Sequence, residues 1–269
     1  MLIKRVLAAL VMAAIGIPAI IYGGVFYFLL ISIFLVLAAW EYVKIFQAAK
    51  FSPSMLVTVG GVLLLLFFRN FLPTYSGPLL TLLILLAMTV HLFSYESGRD
   101  SAASDLMVTL GGFVYLGWVG AYLMDVRALP DGGWWILLTL GSVWIADSAA
   151  YFIGSRFGKH KLSPRLSPKK SWEGYWAGVV LGTLGAAGLA LLFHAWGGIA
   201  VTWWQGGLLG LVLSVFTTLG DLGESMLKRQ AGVKDSSNII PGHGGFLDRI
   251  DSWLWAAAIG YFLITWFFI

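Results

Sequence analysis

Residues 25–47 read VFYFLLISIFLVLAAWEYVKIFQ, and their first 16 positions carry no charge. A helix of this length is about 35 Å long at 1.5 Å per residue, and a bilayer's hydrocarbon core is about 30 Å thick. Apolar stretches of this kind recur along the chain. With ends uncertain by about two to four residues, they run over 6–22, 25–47, 55–70, 77–95, 105–125, 133–155, 174–195, 205–228 and 246–268. The expected fold class is all-α: a polytopic integral membrane protein with about nine transmembrane helices.

The bulk composition supports this. The 269 residues are 59% hydrophobic and 11% charged, with a mean hydropathy of +0.86. A soluble domain is about 45–50% apolar and about 25% charged. No room remains for a large soluble domain. The chain has no cysteine, which excludes disulfides, thiolate metal sites and cysteine nucleophiles. The net charge of +4 fits membrane anchoring, and no nucleic-acid partner is expected from it. The opening Met-Leu-Ile-Lys-Arg has the look of a signal peptide, but further apolar spans follow it, so we expect a first span there.

Turn residues separate the spans: Gly23-Gly24, Pro53, Pro73 with Gly77, the run from Ser94 to Ser104, and Pro130 to Gly133. Two connections are longer and more polar, from Arg156 to Glu173 and from Arg229 to Gly245. No internal repeat is visible. With nine spans, 15 of the 17 basic residues fall on one side, and only Arg69 and Arg127 on the other. Cytoplasmic loops carry the positive excess. The N-terminus and both long loops are therefore expected to be cytoplasmic, and Ile269 outside. We expect residues 1–130 to be scaffold, serving dimerisation or lipid access, and residues 131–269 to be the catalytic region.

A charged side chain near the bilayer centre costs roughly 2.5–3.5 kcal/mol on insertion scales, so such residues usually line a cavity or pair. Asp147 lies in WIADSAAYFIG, with Tyr151 and Gly154 on the same helical face. It serves either a helix–helix hydrogen bond or a site. Asp221, Glu224, Ser225 and Lys228 form one stripe that ends at Arg229. Intrahelical ion pairing explains one acid and one base, and leaves the second acid over. Asp248 and Asp251 open the last segment on one face. They suit either the helix dipole or a hard cation. Magnesium takes one or two carboxylates, keeps waters and bridges to phosphates. Asp221, Asp248 and Asp251 could hold one or two such ions, with Asp147 a further candidate.

The first long loop carries Lys159, His160, Lys161 and Arg165, then Ser167, Lys169, Lys170, Ser171 and Glu173. It reads equally as a positive anchor and as a phosphate site beside a helix start at Ser167 or Ser171. The second holds Pro241-Gly242-His243-Gly244-Gly245, where glycines free backbone amides for a phosphate chain. His243 is either a solvated loop residue or a substrate contact. Gly174, Gly178 and Gly182, four apart, predict close helix packing.

The stretch from Ser225 to Asp251, SMLKRQAGVKDSSNIIPGHGGFLDRID, resembles the signature of phosphatidate cytidylyltransferases (CDP-diacylglycerol synthases). Ser225, Lys228, Arg229, Lys234, Asp235, Ser237, Ile240, Pro241, His243, Gly244, Gly245, Asp248, Arg249 and Asp251 all match it. SPKKSWEG and ADSAAYFIGSRFGKHK resemble that family too. The resemblance covers about residues 140–252, and the first four segments share only hydrophobicity with it. It implies transfer of a cytidylyl group from CTP to phosphatidic acid at the cytoplasmic membrane, dependence on Mg2+ with room for a second cation, and a homodimer. It places the metal-binding aspartates on Asp221, Asp248 and Asp251. With Lys228 and Arg229 these make the expected catalytic set. The expected substrate contacts are Asp147, Ser167, Lys169, Lys170, Ser225, Lys234, Asp235, His243, Gly244, Gly245 and Arg249. Two other readings stand beside it. A CTP-using polyprenol kinase would need a base for its hydroxyl acceptor, with Asp147 the candidate. A transporter would string the acids into an ion path, but here they gather at one side.

Overall fold

The structure, a computed structural model, describes residues 2–237, 239 and 244–269, and of residues 2–10 the helical backbone alone. The helices are α1 (Leu2–Tyr22), α2 (Gly24–Ala48), α3 (Met55–Phe71), α4 (Ser76–Glu96), α5 (Ala102–Gly112), α6 (Tyr122–Ala128), α7 (Gly132–Phe157), α8 (Trp172–Ala195), α9 (Trp203–Gln230) and α10 (Leu247–Phe267). Among the described residues, seven helical stretches are long and apolar enough to cross a membrane, and Val11–Tyr22 and Met55–Phe71 are shorter apolar helices. The chain is an all-α, multi-pass membrane protein, and each expected span has its helix. Aliphatic side chains such as Leu56, Leu85 and Leu184 stand exposed, as a lipid-facing surface requires.

Two elements depart from the expected pattern. The fifth span is not one α-helix: a π-helical segment, Phe113–Val119, joins α5 to α6. Glycines permit it, because Gly112 lies against Tyr42 and Thr58, and Gly117 against the Val62 backbone, where a side chain would clash. The first long loop contains a small antiparallel hairpin, β1 (Lys161–Ser163) with β2 (Ser167–Ser171). Of the two expected helix starts there, Ser171 is the cap: its Oγ accepts from the Gly174 amide at 3.2 Å. Ser167 begins β2 instead.

The chain forms two compact units. The first comprises Met1–Ala19, Gly24–Asp125 and Leu227–Ile250. Its core includes Leu35, Leu65, Leu66, Phe113 and Leu116, all buried. Buried Asp105 pairs with Arg99 at 2.8 Å and accepts from the Ser52 amide, tying the turn after α2 to α5. Arg69 grips Asp125 through Nε and Nη2 and stacks over Trp118 and Tyr122, so this charge near the end of α3 is paired and shielded.

The second unit comprises Ile20–Gly23, Val126–Met226 and Asp251–Ile269. Here the glycine stripe does what its spacing predicts. A Cβ on Gly174 would lie 2.9 Å from the Gly154 Cα, and one on Gly178 would lie 2.9 Å from the Ala146 carbonyl, so α7 and α8 pack backbone to backbone. Gly206 and Gly210 seat α9 against Ala190 and Ala186 of α8 in the same way. Arg127 donates to the carbonyls of Ile20 and Ile21, satisfying the end of α1 just before Gly23 turns with φ +68°. Both basic residues expected on the outer side thus have structural partners.

Candidate active site

In the first unit, the site is built where α9 ends and α10 begins. Lys228, in the last turn of α9, donates to Asp248 Oδ1 at 2.5 Å. Both side chains are nearly buried, at 11% and 8% exposure. Asp248 Oδ2 accepts from the Ser236 amide (3.0 Å), the Ser236 hydroxyl (2.7 Å) and the Gly245 amide (2.8 Å). The carboxylate therefore fastens Ser236 and Gly245 to the start of α10. Gly244 has φ +79°, and a Cβ there would lie 2.5 Å from Asp248 Oδ2. A side chain at Gly245 would strike Ser236 Oγ and both oxygens of Glu41.

Glu41 is the residue that sequence reasoning missed. It lies on α2, almost two hundred positions before the segment it holds, and is fully buried. Its Oε1 accepts from the Ser237 hydroxyl (2.5 Å) and the Phe246 amide (3.0 Å), and its Oε2 from the Leu247 amide (2.8 Å). Ser236 Oγ lies 3.0 Å from Oε2. Phe34, also on α2, packs edge-on against Phe246 with ring centroids 5.0 Å apart. The available signal was an acid inside an apolar span, which marks a function by default.

In the second unit, Lys170 at the end of β2 reaches Asp221 Oδ2 on α9 at 2.7 Å. This pair is open to solvent, at 27% and 37% side-chain exposure. Ser225 Oγ, one turn on, lies 3.5 Å from Asp221 Oδ1. The hairpin that presents Lys170 is fixed at its root. Glu173 accepts from the amides of Lys159 and His160 and meets His160 Nδ1 at 2.6 Å, while the Trp172 amide donates to the His160 carbonyl. Asp251 is buried, and its Oδ1 accepts from the Ser252 amide.

The other expected site residues distribute by exposure. Lys169, Arg229, Lys234 and Asp235 are exposed, and Arg249 is half-buried. Asp147 stands exposed on α7, beside exposed Tyr151, while Gly154 of the same expected face packs on α8. His243 lies outside the described residues. Among the described residues, no three His, Cys, Asp or Glu side chains form a ready-made metal cage. Each of Asp221 and Asp248 instead has a lysine ammonium as its cation.

The sequence profile of the cytidylyltransferase family matches residues 3–267 of this chain. Three proteins named phosphatidate cytidylyltransferase are similar along almost their full length. The Pseudomonas aeruginosa protein is 37% identical, over 97% of this chain and 99% of its own. The Bacillus subtilis protein is 34% identical over 98% of each. The Synechocystis sp. protein is 30% identical over 97% of this chain and 96% of its own. The likeness thus takes in the first four spans, beyond the region of the signature.

Proposed function

The chain belongs to the cytidylyltransferase family, and from that premise we propose that it transfers the cytidylyl group of CTP to phosphatidic acid, giving CDP-diacylglycerol and pyrophosphate for phospholipid biosynthesis. The observation that carries the reading is the near-full-length likeness to phosphatidate cytidylyltransferases. The lysine–aspartate pairs at the signature and at the hairpin support it.

In the reaction an oxygen of the lipid phosphate attacks the α-phosphorus of CTP. The bond from that phosphorus to the bridging oxygen breaks, and pyrophosphate leaves. A phosphate monoester has a second pKa of about 6 and is largely dianionic at neutral pH, so the acceptor needs no general base. Catalysis then consists of positioning and charge neutralisation. Lys170 is suited to meeting a phosphate, because its ammonium is solvent-reachable and its present partner is an exposed carboxylate. Lys169, Arg229 and Arg249 supply further positive charge for the triphosphate and the lipid phosphate. Lys228 is buried against Asp248 and orients the segment that precedes α10.

The acids fit a hard cation held by one or two carboxylates, with water and phosphate oxygens completing its shell. The oxygen donors and the lysine ammonium already resting on Asp221 favour a cation there. The family resemblance assigns Mg2+ to Asp221, Asp248 and Asp251, and the ion would offset phosphate charge and favour departure of pyrophosphate. We place the site at the cytoplasmic face of the cytoplasmic membrane, where a soluble nucleotide and a bilayer lipid can meet, and the functional form as a homodimer.

The test is the detergent-purified protein with CTP, phosphatidic acid and magnesium. The expected result is CDP-diacylglycerol with equimolar pyrophosphate, abolished by a chelator and by Asp221→Asn. Product formed equally in the presence of chelator would overturn the metal assignment.

A further inference from the structure

We propose that Glu41 on α2 is a positioning residue for the reaction: its carboxylate holds Ser237, Phe246 and Leu247 in the arrangement that sets Asp248 and Lys228. The inference rests on the cytidylyl-transfer reading and adds a residue from the first third of the chain to its machinery.

Three donors converge on this one carboxylate, and a further oxygen lies beside it. Two are the backbone amides of Phe246 and Leu247, at the entry to α10, and the third is the Ser237 hydroxyl, while Ser236 Oγ, whose proton goes to Asp248, lies 3.0 Å from Oε2. The first amides of a helix have no partner within it, so Glu41 supplies from another helix what a local cap would supply. It is fully buried, so water cannot replace it. The link to the chemistry is direct. Ser236 also contacts Asp248 Oδ2, and Asp248 holds Lys228. Gly245 fits the same account, since a Cβ there would lie 2.4 Å from each Glu41 oxygen. The missing side chain makes the seat for the carboxylate.

A carboxylate accepts at both oxygens, whereas a carboxamide presents one oxygen and an NH2 group that can only donate. Glu41→Gln therefore keeps the shape and leaves one backbone amide, that of Phe246 or of Leu247, facing another donor. The entry to α10 should shift, and shifts of about 1 Å in catalytic groups cost about 100-fold in rate. The expected result is a kcat reduced about 10–100-fold, KM for CTP changed less than kcat, and faster tryptic cleavage at exposed Lys234 with the helices still protected. Glu41→Asp, which keeps both acceptors, should recover part of the rate. Ser237→Ala alone should give a smaller loss, and combined with Glu41→Gln a loss smaller than the product of the two, because both act on the same contact.

Full activity in Glu41→Gln, or losses that multiply in the double variant, would overturn the inference. So would a loss of activity without faster cleavage at Lys234. Wild-type protein inactive toward CTP and phosphatidic acid would overturn the parent reading instead, and the cleavage comparison would still judge Glu41.

Discussion

At the scale of single residues, burial separates two lysine–aspartate pairs that the sequence presents alike. Lys228 and Asp248 are nearly enclosed, and removing one partner of a buried pair typically costs about 3–5 kcal/mol. Asp248→Ala is therefore expected to lower both activity and the melting temperature in detergent. Lys170 and Asp221 are more open, and a pair of that exposure contributes little to stability. Asp221→Asn should leave the melting temperature nearly unchanged while cutting turnover at least about 100-fold, the scale of losing one electrostatic group from a transition state. Thermal shift and turnover on the same preparations read both. Equal destabilisation by the two variants would contradict the distinction. The signature acids, the lysines and the glycines before α10 were legible in the sequence because their spacing is local. Glu41 was not, because its partners lie 196 to 206 positions away and only folding joins them. The exposure of Asp147 was equally hidden, since a helix shows its periodicity but not which face finds a neighbour.

At the scale of elements, small residues decide how closely helices approach. The spacing of Gly174, Gly178 and Gly182 was enough to foresee the packing of α8, because that face meets α7 through backbone atoms. Gly178→Val should force α7 and α8 apart at a cost of about 1–3 kcal/mol, measurable as a lower melting temperature. An unchanged value would mean the interface yields freely. The hairpin between α7 and α8 escaped a reading by pattern. Its strands span three and five residues, are polar, and depend on Glu173 gripping the amides of Lys159 and His160. Glu173→Ala should leave the helices intact and raise KM for CTP, because Lys170 sits at the end of that hairpin. A kinetic profile identical to the wild type would remove the hairpin from substrate binding. The π-helical turn escaped for a similar reason. Hydrophobicity alone cannot distinguish a wide turn from an α-turn, and what permits it is the fit of Gly112 and Gly117 against α2 and α3.

At the scale of the whole molecule, the spans were the most legible feature, since apolar length is a property of the sequence itself and needs no partner. The 15-to-2 split of basic residues predicts the orientation. Because the chain has no cysteine, single substitutions can report it: Lys159→Cys should react with an impermeant thiol reagent only from the cytoplasmic side, and Ile269→Cys only from outside. Reversed labelling would invert the topology and place the signature across the membrane from cytosolic CTP. Whether the transferred group is cytidylyl is decided by which phosphorus of CTP reaches the lipid. Purified protein would be given phosphatidic acid with CTP labelled at either the α- or the γ-phosphorus. Cytidylyl transfer puts the α-label in the lipid phase and the γ-label only in released pyrophosphate. Lipid carrying the γ-label would contradict it, because that is the outcome of a kinase.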